Sequence, residues 1–298
     1  MRVFTRGDMD GITSVVLLNL VEDVTEIVFA HPSDMQESKI PVTENDIITN
    51  LPYVKGCRMW FDHHISEDKK MEDIGEFRGR FAVAPSTARV IYNYYKHPEF
   101  ERFKDLLEAT DRVDSANLTL EDIANPSGWV LLGLTLDPRS GLGPGFREYF
   151  RWLVEYVNEV PLEKVLQHPE VNKRCQRLMQ EQDEFKKLLQ EHSRQEGNVI
   201  ITDLRGVKQM PAGNRFLVYT MYPDANVEVR IFPGLLNNTV VAMGHSIFNR
   251  TCKVNLGKLM AEYGGGGHEG AATSQLADEE ADAKIAEIIE RLKENYSL

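Results

Sequence analysis

CRMWFDHHISE, residues 57–67, is the stretch from which the rest of the chain can be read. Cys57–Phe61 is a short apolar run of the kind that forms a buried strand, and it leads directly into Asp62-His63-His64. One carboxylate and two imidazoles in consecutive positions offer oxygen and nitrogen ligands suited to Mn²⁺, Mg²⁺ or Zn²⁺. Adjacent histidines at a strand end point in different directions and therefore do not share one role. A ligating histidine needs its other ring nitrogen held by a partner, often a carboxylate. The second can contact a phosphoryl oxygen. A chance cluster of surface histidines is the plain alternative.

Upstream, Met1–Thr5, Glu26–Ala30 and Asp46–Thr49 read as further strands. The turn Arg6-Gly7-Asp8-Met9-Asp10-Gly11 separates the first strand from an apolar helical stretch, Ile12–Val21. Asp8 and Asp10 thus fall at a strand end before a helix, where open α/β sheets bind ligands. Gly11 is expected to permit a sharp backbone turn. The competing reading of the pair is a helix N-cap followed by a first-turn acid. Downstream, Ala84–Tyr95 reads as a helix started by Pro85-Ser86-Thr87. A further helix, Glu101–Thr110, runs into Asp111-Arg112-Val113-Asp114. Asp111 and Asp114 compete for a role at that end, and either can be a cap. Strands alternating with helices predict a parallel sheet in an α/β fold.

The middle changes character. Asp137–Gly145 is rich in chain breakers and reads as a surface turn, with Arg139 as a substrate contact the alternative. Glu170–Gln195 reads as one long helix, with Val171, Cys175, Leu178, Met179, Phe185, Leu188 and Leu189 near helical spacing. It is taken as a spacer between domains in preference to a dimer-forming helix, closed by Gly197-Asn198. A second α/β unit follows, with strands expected at Asn198–Thr202, Phe216–Tyr222, Val227–Phe232 and Thr239–Met243. Helices are expected at Leu256–Tyr263 and Ala277–Tyr296. Between them, Gly264–Gly267 would let backbone N–H groups approach an anion, with His268 and Arg250 adding donors and charge.

The 298 residues carry a formal net charge of −12, with 42% hydrophobic and 27% charged residues. That balance argues against a protein coating duplex DNA but leaves room for a short nucleotide in a local pocket. Cys57, Cys175 and Cys252 are few and far apart, so neither a disulfide scaffold nor a zinc ribbon is expected. The opening MRVFTRGDMDG lacks a secretory signal pattern, and no apolar run approaches the ~20 residues of a membrane span. The expectation is a cytoplasmic protein with no membrane partner, in which the sequon letters at Asn237 carry no weight.

Taken in order, DxDG at Asp8, DHH at Asp62, a later aspartate and GGGGHEGAA from Gly264 resemble the DHH phosphoesterase family carrying a DHHA1 C-terminal domain. The resemblance implies a DHH domain over 1–155, a helical linker over 156–196 and a smaller α/β DHHA1 domain over 197–298. It places the site in the interdomain cleft. It implies hydrolysis of phosphoesters with two Mn²⁺ or related ions. Asp8, Asp10, His63 and Asp111 match the family's metal residues. Asp62 would orient the site and His64 would face the phosphoryl group. Arg250, Gly265, Gly266, Gly267 and His268 match the substrate-binding wall.

Two positions depart from the pattern. Arg6 stands where many relatives carry a metal-binding His or Asp, and a guanidinium has no lone pair to offer. Asn50 stands where the family has an aspartate, often bridging both metals. The expectation is therefore one Mn²⁺ or Mg²⁺ ion, with Arg6 partly replacing the other by pairing with Asp8 or holding a phosphate oxygen. The function expected is a metal-dependent phosphoesterase for a short single-stranded oligonucleotide or nucleotide phosphoester. An exopolyphosphatase-type hydrolase and a catalytically weak nucleotide-binding regulator are the alternatives.

Overall fold

The computed structural model describes residues 1–64, 74–136, 143–208, 213–234 and 238–295. Arg139 and Asn237 lie outside them. The chain forms two compact units, one of Met1–Leu118 with Pro126–Cys175, the other of Thr119–Asn125 with Gln176–Leu298.

The first unit is built on five strands: β1 (Arg2–Thr5), β2 (Glu26–Phe29), β3 (Asp46–Thr49), β4 (Met59–Asp62) and β5 (Gly79–Phe81). They lie in the order β2-β1-β3-β4-β5, and every pairing is parallel. β3 and β4 are buried along their whole length, as expected for a parallel sheet covered on both faces. Arg2 and Asp46 are partners in the β1–β3 register, and their ion pair at 2.6 Å helps fix it. Phe4, Ile48, Leu51 and Trp60 form a core cluster.

Helix α1 (Met9–Leu18) follows β1, and all ten of its residues are buried. The remaining helices of this unit begin with α2 (Pro32–Gln36), α3 (Thr87–Tyr95) and α4 (Lys104–Asp114). The last of these is preceded by a 3₁₀ turn at Pro98–Phe103. α5 (Leu120–Ala124) belongs to the second unit, after which α6 (Gly128–Leu134), α7 (Pro144–Glu159) and α8 (Leu162–Gln167) return to the first. α1 packs against α3, α4 and α7. The chain order reverses between β1 and β3, the kind of switch point at which open α/β sheets form a crevice beyond the strand ends.

The long helix α9 (Pro169–His192) buries Val171, Cys175, Gln182, Phe185 and Leu189 at spacings of three or four or their sums. The unit boundary falls within this helix, after Cys175. The sequence reading carried it to Gln195, but the chain turns at Ser193 into β6 (Ser193–Glu196). Gly197-Asn198 is a two-residue hairpin turn into β7 (Val199–Asp203), not a helix stop.

The second sheet has the order β10-β11-β9-β8-β7-β6, where β8 is Val227–Pro233, β9 Asn238–His245, β10 Gly266–His268 and β11 Ala271–Ala277. Among the described strands of this sheet, only β7 and β8 run parallel. Val199, Ile201, Val227, Val229, Ile231 and Val241 alternate onto one face, against α11 (Leu256–Ala261) and α12 (Asp278–Glu294). Phe216–Tyr222, read as a strand, is instead the helix α10 (Leu217–Met221). Its continuous apolar run has no period to separate strand from helix.

Candidate metal centre

Asp8, Asp10, Asn50, Asp62 and His63 all fall at carboxyl ends of strands β1, β3 and β4. Asp8 caps α1, its Oδ1 accepting from Gly11 N at 2.9 Å. Gly11 is needed for close approach rather than for a turn. A Cβ there would lie 2.1 Å from the Arg6 carbonyl oxygen. Two more donors converge on Asp8. Asn50 Nδ2 donates to Oδ1 at 3.0 Å, and Arg6 Nε lies 3.3 Å from Oδ2. Asn50 adopts a φ of 57°, a left-handed conformation that Asn tolerates better than most residues. Burial pushes the Asp8 carboxyl up, and Arg6 opposes that rise.

Asp10 is held by a helix end. Its two oxygens accept from Thr87 N at 2.9 Å and Ala88 N at 2.8 Å, the first amides of α3. Anions are stabilised at such termini. The side chain is buried, and its pKa rises to about 7 through burial and the nearby Asp114 carboxylate, with His63 pulling the other way.

His63 Nδ1 lies 2.9 Å from the Ala84 carbonyl oxygen. A carbonyl only accepts, so Nδ1 carries a proton and Nε2 of the neutral ring presents its lone pair. Among the described residues, Nε2 is buried without a hydrogen-bond partner. It faces Asp114 Oδ2 at 3.1 Å and Asp10 Oδ2 at 3.9 Å. Burial alone would lower the His63 pKa, but Asp114 and Asp10 outweigh it and lift the ring to about 9. An imidazolium and a divalent cation are thus two alternative ways of balancing the same pair of carboxylates.

Asp10, His63 and Asp114 each present one donor atom, all within 4.8 Å of one another. Mixed carboxylate and imidazole donors, one of them a buried nitrogen with an unused lone pair, fit a divalent ion. Asp62 supports the neighbouring histidine. Its Oδ1 accepts from His63 N at 2.9 Å and from His64 Nδ1 at 2.7 Å. Burial lowers the His64 pKa, but pairing with Asp62 raises it overall. Asp62 Oδ2 is buried and has no hydrogen-bond partner among the described residues.

The structure does not bring Asp111 to this group. Its Oδ1 accepts from Ser86 Oγ at 2.7 Å and its Oδ2 from Arg89 Nε at 2.8 Å, and Asp114, the competing aspartate, is the one that lies beside Asp10 and His63. The two aspartates sit one turn apart on α4, and only the packing of that helix separates their roles. Ala84 and the first turn of α3 carry no side-chain signal, because they act through backbone groups.

Arg250, the glycine run and His268 lie in the second unit. Arg250 Nε donates to Ile247 O at 3.0 Å. The run is not an open loop: Gly266–His268 is edge strand β10, paired antiparallel to β11. A Cβ at Gly267 would lie 2.4 Å from Ala271 O, so this glycine serves close strand packing. Among the described residues, the groups of β10 turned away from β11 have no neighbouring strand in this sheet.

Among solved structures, a pGpG-specific phosphodiesterase, PggH from Vibrio cholerae, is 35% identical to this chain, covering 99% of each, with a TM-score of 0.90. The chain belongs to the DHH phosphoesterase family. It is thereby a hydrolase of phosphoesters. Two more distant structures share the fold. The DHH domain of PF0399, described as a member of the s1p family of ribosomal proteins, is 15% identical with a TM-score of 0.55, covering 99% of this chain and 87% of its own. RecJ from Thermus thermophilus, solved in complex with Mn²⁺, is 13% identical with a TM-score of 0.50, covering 99% of this chain and 52% of its own. No family model and no curated protein matches the chain. Among the described residues, no helix of this DHH protein is long and apolar enough to cross a membrane.

Proposed function

We propose that this protein is a metal-dependent phosphodiesterase that hydrolyses a short 5′-phosphorylated oligonucleotide of the pGpG type. The observation that carries this reading is the full-length likeness to a pGpG-specific phosphodiesterase. The group of Asp10, His63 and Asp114 supports it, because these residues can hold one Mn²⁺ or Mg²⁺. A bound divalent ion would polarise a phosphoryl oxygen and make water a better nucleophile at neutral pH. His64, oriented by Asp62, is the group suited to exchange a proton with the reacting phosphoester. Arg6, one-third exposed beside Asp8, supplies fixed positive charge where the family pattern has a metal ligand.

The site is proposed to hold one ion. Asp8 already receives three donors, from Gly11, Asn50 and Arg6, and a carboxylate has about four lone-pair positions. The competing reading is a catalytically weak hydrolase that acts chiefly by binding its nucleotide ligand, and the Arg6–Asp8 pair is the observation that favours it.

The test is incubation of pure protein and Mn²⁺ with pGpG, adenosine bisphosphate, cyclic dinucleotides and polyphosphate, with products separated by chromatography. Conversion of pGpG to two GMP is expected, with little or no release from polyphosphate. Tight binding of pGpG with only slow turnover would favour the catalytically weak, regulatory reading.

A further inference from the structure

Asp111 has both carboxylate oxygens committed to the start of α3. Oδ1 accepts from the hydroxyl of Ser86, the N-cap residue, at 2.7 Å. Oδ2 accepts from Arg89 Nε at 2.8 Å and also from Arg89 Nη2, a two-pronged contact. Ser86 Oγ accepts in turn from Arg89 N at 3.0 Å. The two amides between them, Thr87 N and Ala88 N, are those that hold Asp10. The first turn of α3 is therefore fastened to Asp111 through Ser86 and Arg89, and offers its remaining amides to Asp10. Asp111 and Asp114 ride on the same helix, three residues apart, and Asp114 Oδ2 faces His63 Nε2 at 3.1 Å.

We propose that Asp111 is a positioning residue, a strut between α3 and α4 that fixes the separation of the Asp10 and Asp114 carboxylates. This rests on the reading that those two residues and His63 hold the cation. The strut joins the element that holds Asp10 to the element that carries Asp114, so its removal lets the two drift without deleting a donor atom. Site groups must be held within about 0.5 Å of their working geometry, and supporting hydrogen bonds do that. Losing such a support typically weakens metal binding by about 10–100-fold. A lost ligand has a different signature, since it removes a donor that added metal does not replace.

The experiment uses the full chain with Asp111→Ala, Arg89→Ala and the double variant. Mn²⁺ binding is followed by calorimetry, pGpG hydrolysis across Mn²⁺ concentrations, and amide hydrogen exchange at Thr87 and Ala88. Both single variants are expected to bind Mn²⁺ about 10–100-fold more weakly at unchanged stoichiometry. Saturating Mn²⁺ should restore kcat, exchange at Thr87 and Ala88 should accelerate, and the double variant should be little worse than either single one. Loss of stoichiometric binding in Asp111→Ala, beside normal binding in Arg89→Ala, would overturn the strut and make Asp111 a ligand. Wild-type Mn²⁺ affinity in both would overturn it as well. Should Asp111→Ala fail to fold, Arg89→Ala carries the test alone, since Arg89 touches no cation-holding side chain. A wild type that binds no Mn²⁺ would defeat the cation reading, whereas unchanged exchange at Thr87 and Ala88 would defeat the strut, with or without metal.

Discussion

Arg6 Nε lies 3.3 Å from Asp8 Oδ2, so a carboxylate at the head of the family's first motif faces a guanidinium. Asn50 Nδ2 donates to the other Asp8 oxygen at 3.0 Å. Both partners stand at positions where the resemblance to the family implies metal-binding residue types. Wild-type protein is therefore expected to bind one Mn²⁺ per chain. The double variant Arg6→His with Asn50→Asp removes both donors and adds two ligands, and should bind two. Metal analysis after gel filtration decides this, and an unchanged count of one in the double variant would show that Asp8 is not the missing half of a site.

The cluster of Asp10, His63 and Asp114 predicts three equivalent losses. Asp10→Asn, His63→Ala and Asp114→Asn should each reduce kcat by about 10²–10³-fold, the scale for removing one preorganised electrostatic contact. Each should also weaken Mn²⁺ binding. His64→Ala should cost a similar factor in kcat while leaving Mn²⁺ affinity near wild type, because His64 hydrogen-bonds Asp62 and packs its ring on His63 without being one of the three donor residues. Metal affinity and kcat measured on the same samples separate the two classes. Loss of Mn²⁺ binding in His64→Ala would move that residue into the cation-holding set.

Much of this was legible in the sequence, for physical reasons that also mark where the reading stops. β3 and β4 are apolar runs buried on both faces, and β1 lies beside them, so short hydrophobic stretches sufficed to find all three. β5 is the tripeptide Gly79-Arg80-Phe81, too short and mixed to carry a period. β11 alternates faithfully in burial, yet its inward residues include Ala272 and Ser274, so composition hides the alternation. At the site, Asp10 and His63 stand in recognisable motifs. The choice between Asp111 and Asp114 depends on helix packing, which a spacing of three residues does not reveal. The hold of α3 on Asp10 runs through backbone amides and is invisible to residue type.

Asp46 gives a pH dependence remote from the metal centre. It is buried, with Arg2 Nε at 2.8 Å and Arg2 Nη2 at 2.6 Å, and it accepts two further bonds from Thr43. Burial pushes its carboxyl up, but Arg2 and Thr43 more than offset this and hold it below the ordinary value. A lowered folded-state pKa contributes stability in full above the unfolded value of about 3.9, and that stability is lost as pH falls through the folded value. Asp46→Asn should cost about 1–2 kcal/mol at pH 7, the low end for a charged hydrogen bond because Arg2 is one-third exposed. Urea unfolding at pH 7 and at pH 2.5 tests it. The gap between wild type and variant should be smaller at the lower pH, and a constant gap would remove the charge from the explanation.

The glycine run separates packing from ligand binding position by position. A Cβ at Gly265 would lie 2.3 Å from Thr273 O, and one at Gly267 would lie 2.4 Å from Ala271 O with φ at 154°. Gly266, between them, has nothing within 4 Å of that position. Gly265→Ala and Gly267→Ala should therefore destabilise the second unit by about 1–3 kcal/mol, the usual cost of overpacking, and Gly266→Ala should fold as wild type. Gly266→Ala is then the informative variant for substrate. Its methyl group would stand on the exposed edge strand, beside the backbone groups that β11 does not use. If those groups hold a phosphate of the substrate, this variant should raise KM for pGpG with thermal stability and Mn²⁺ affinity unchanged. An unaltered KM in a stable Gly266→Ala protein would leave the run with packing as its whole role and shift anion binding elsewhere.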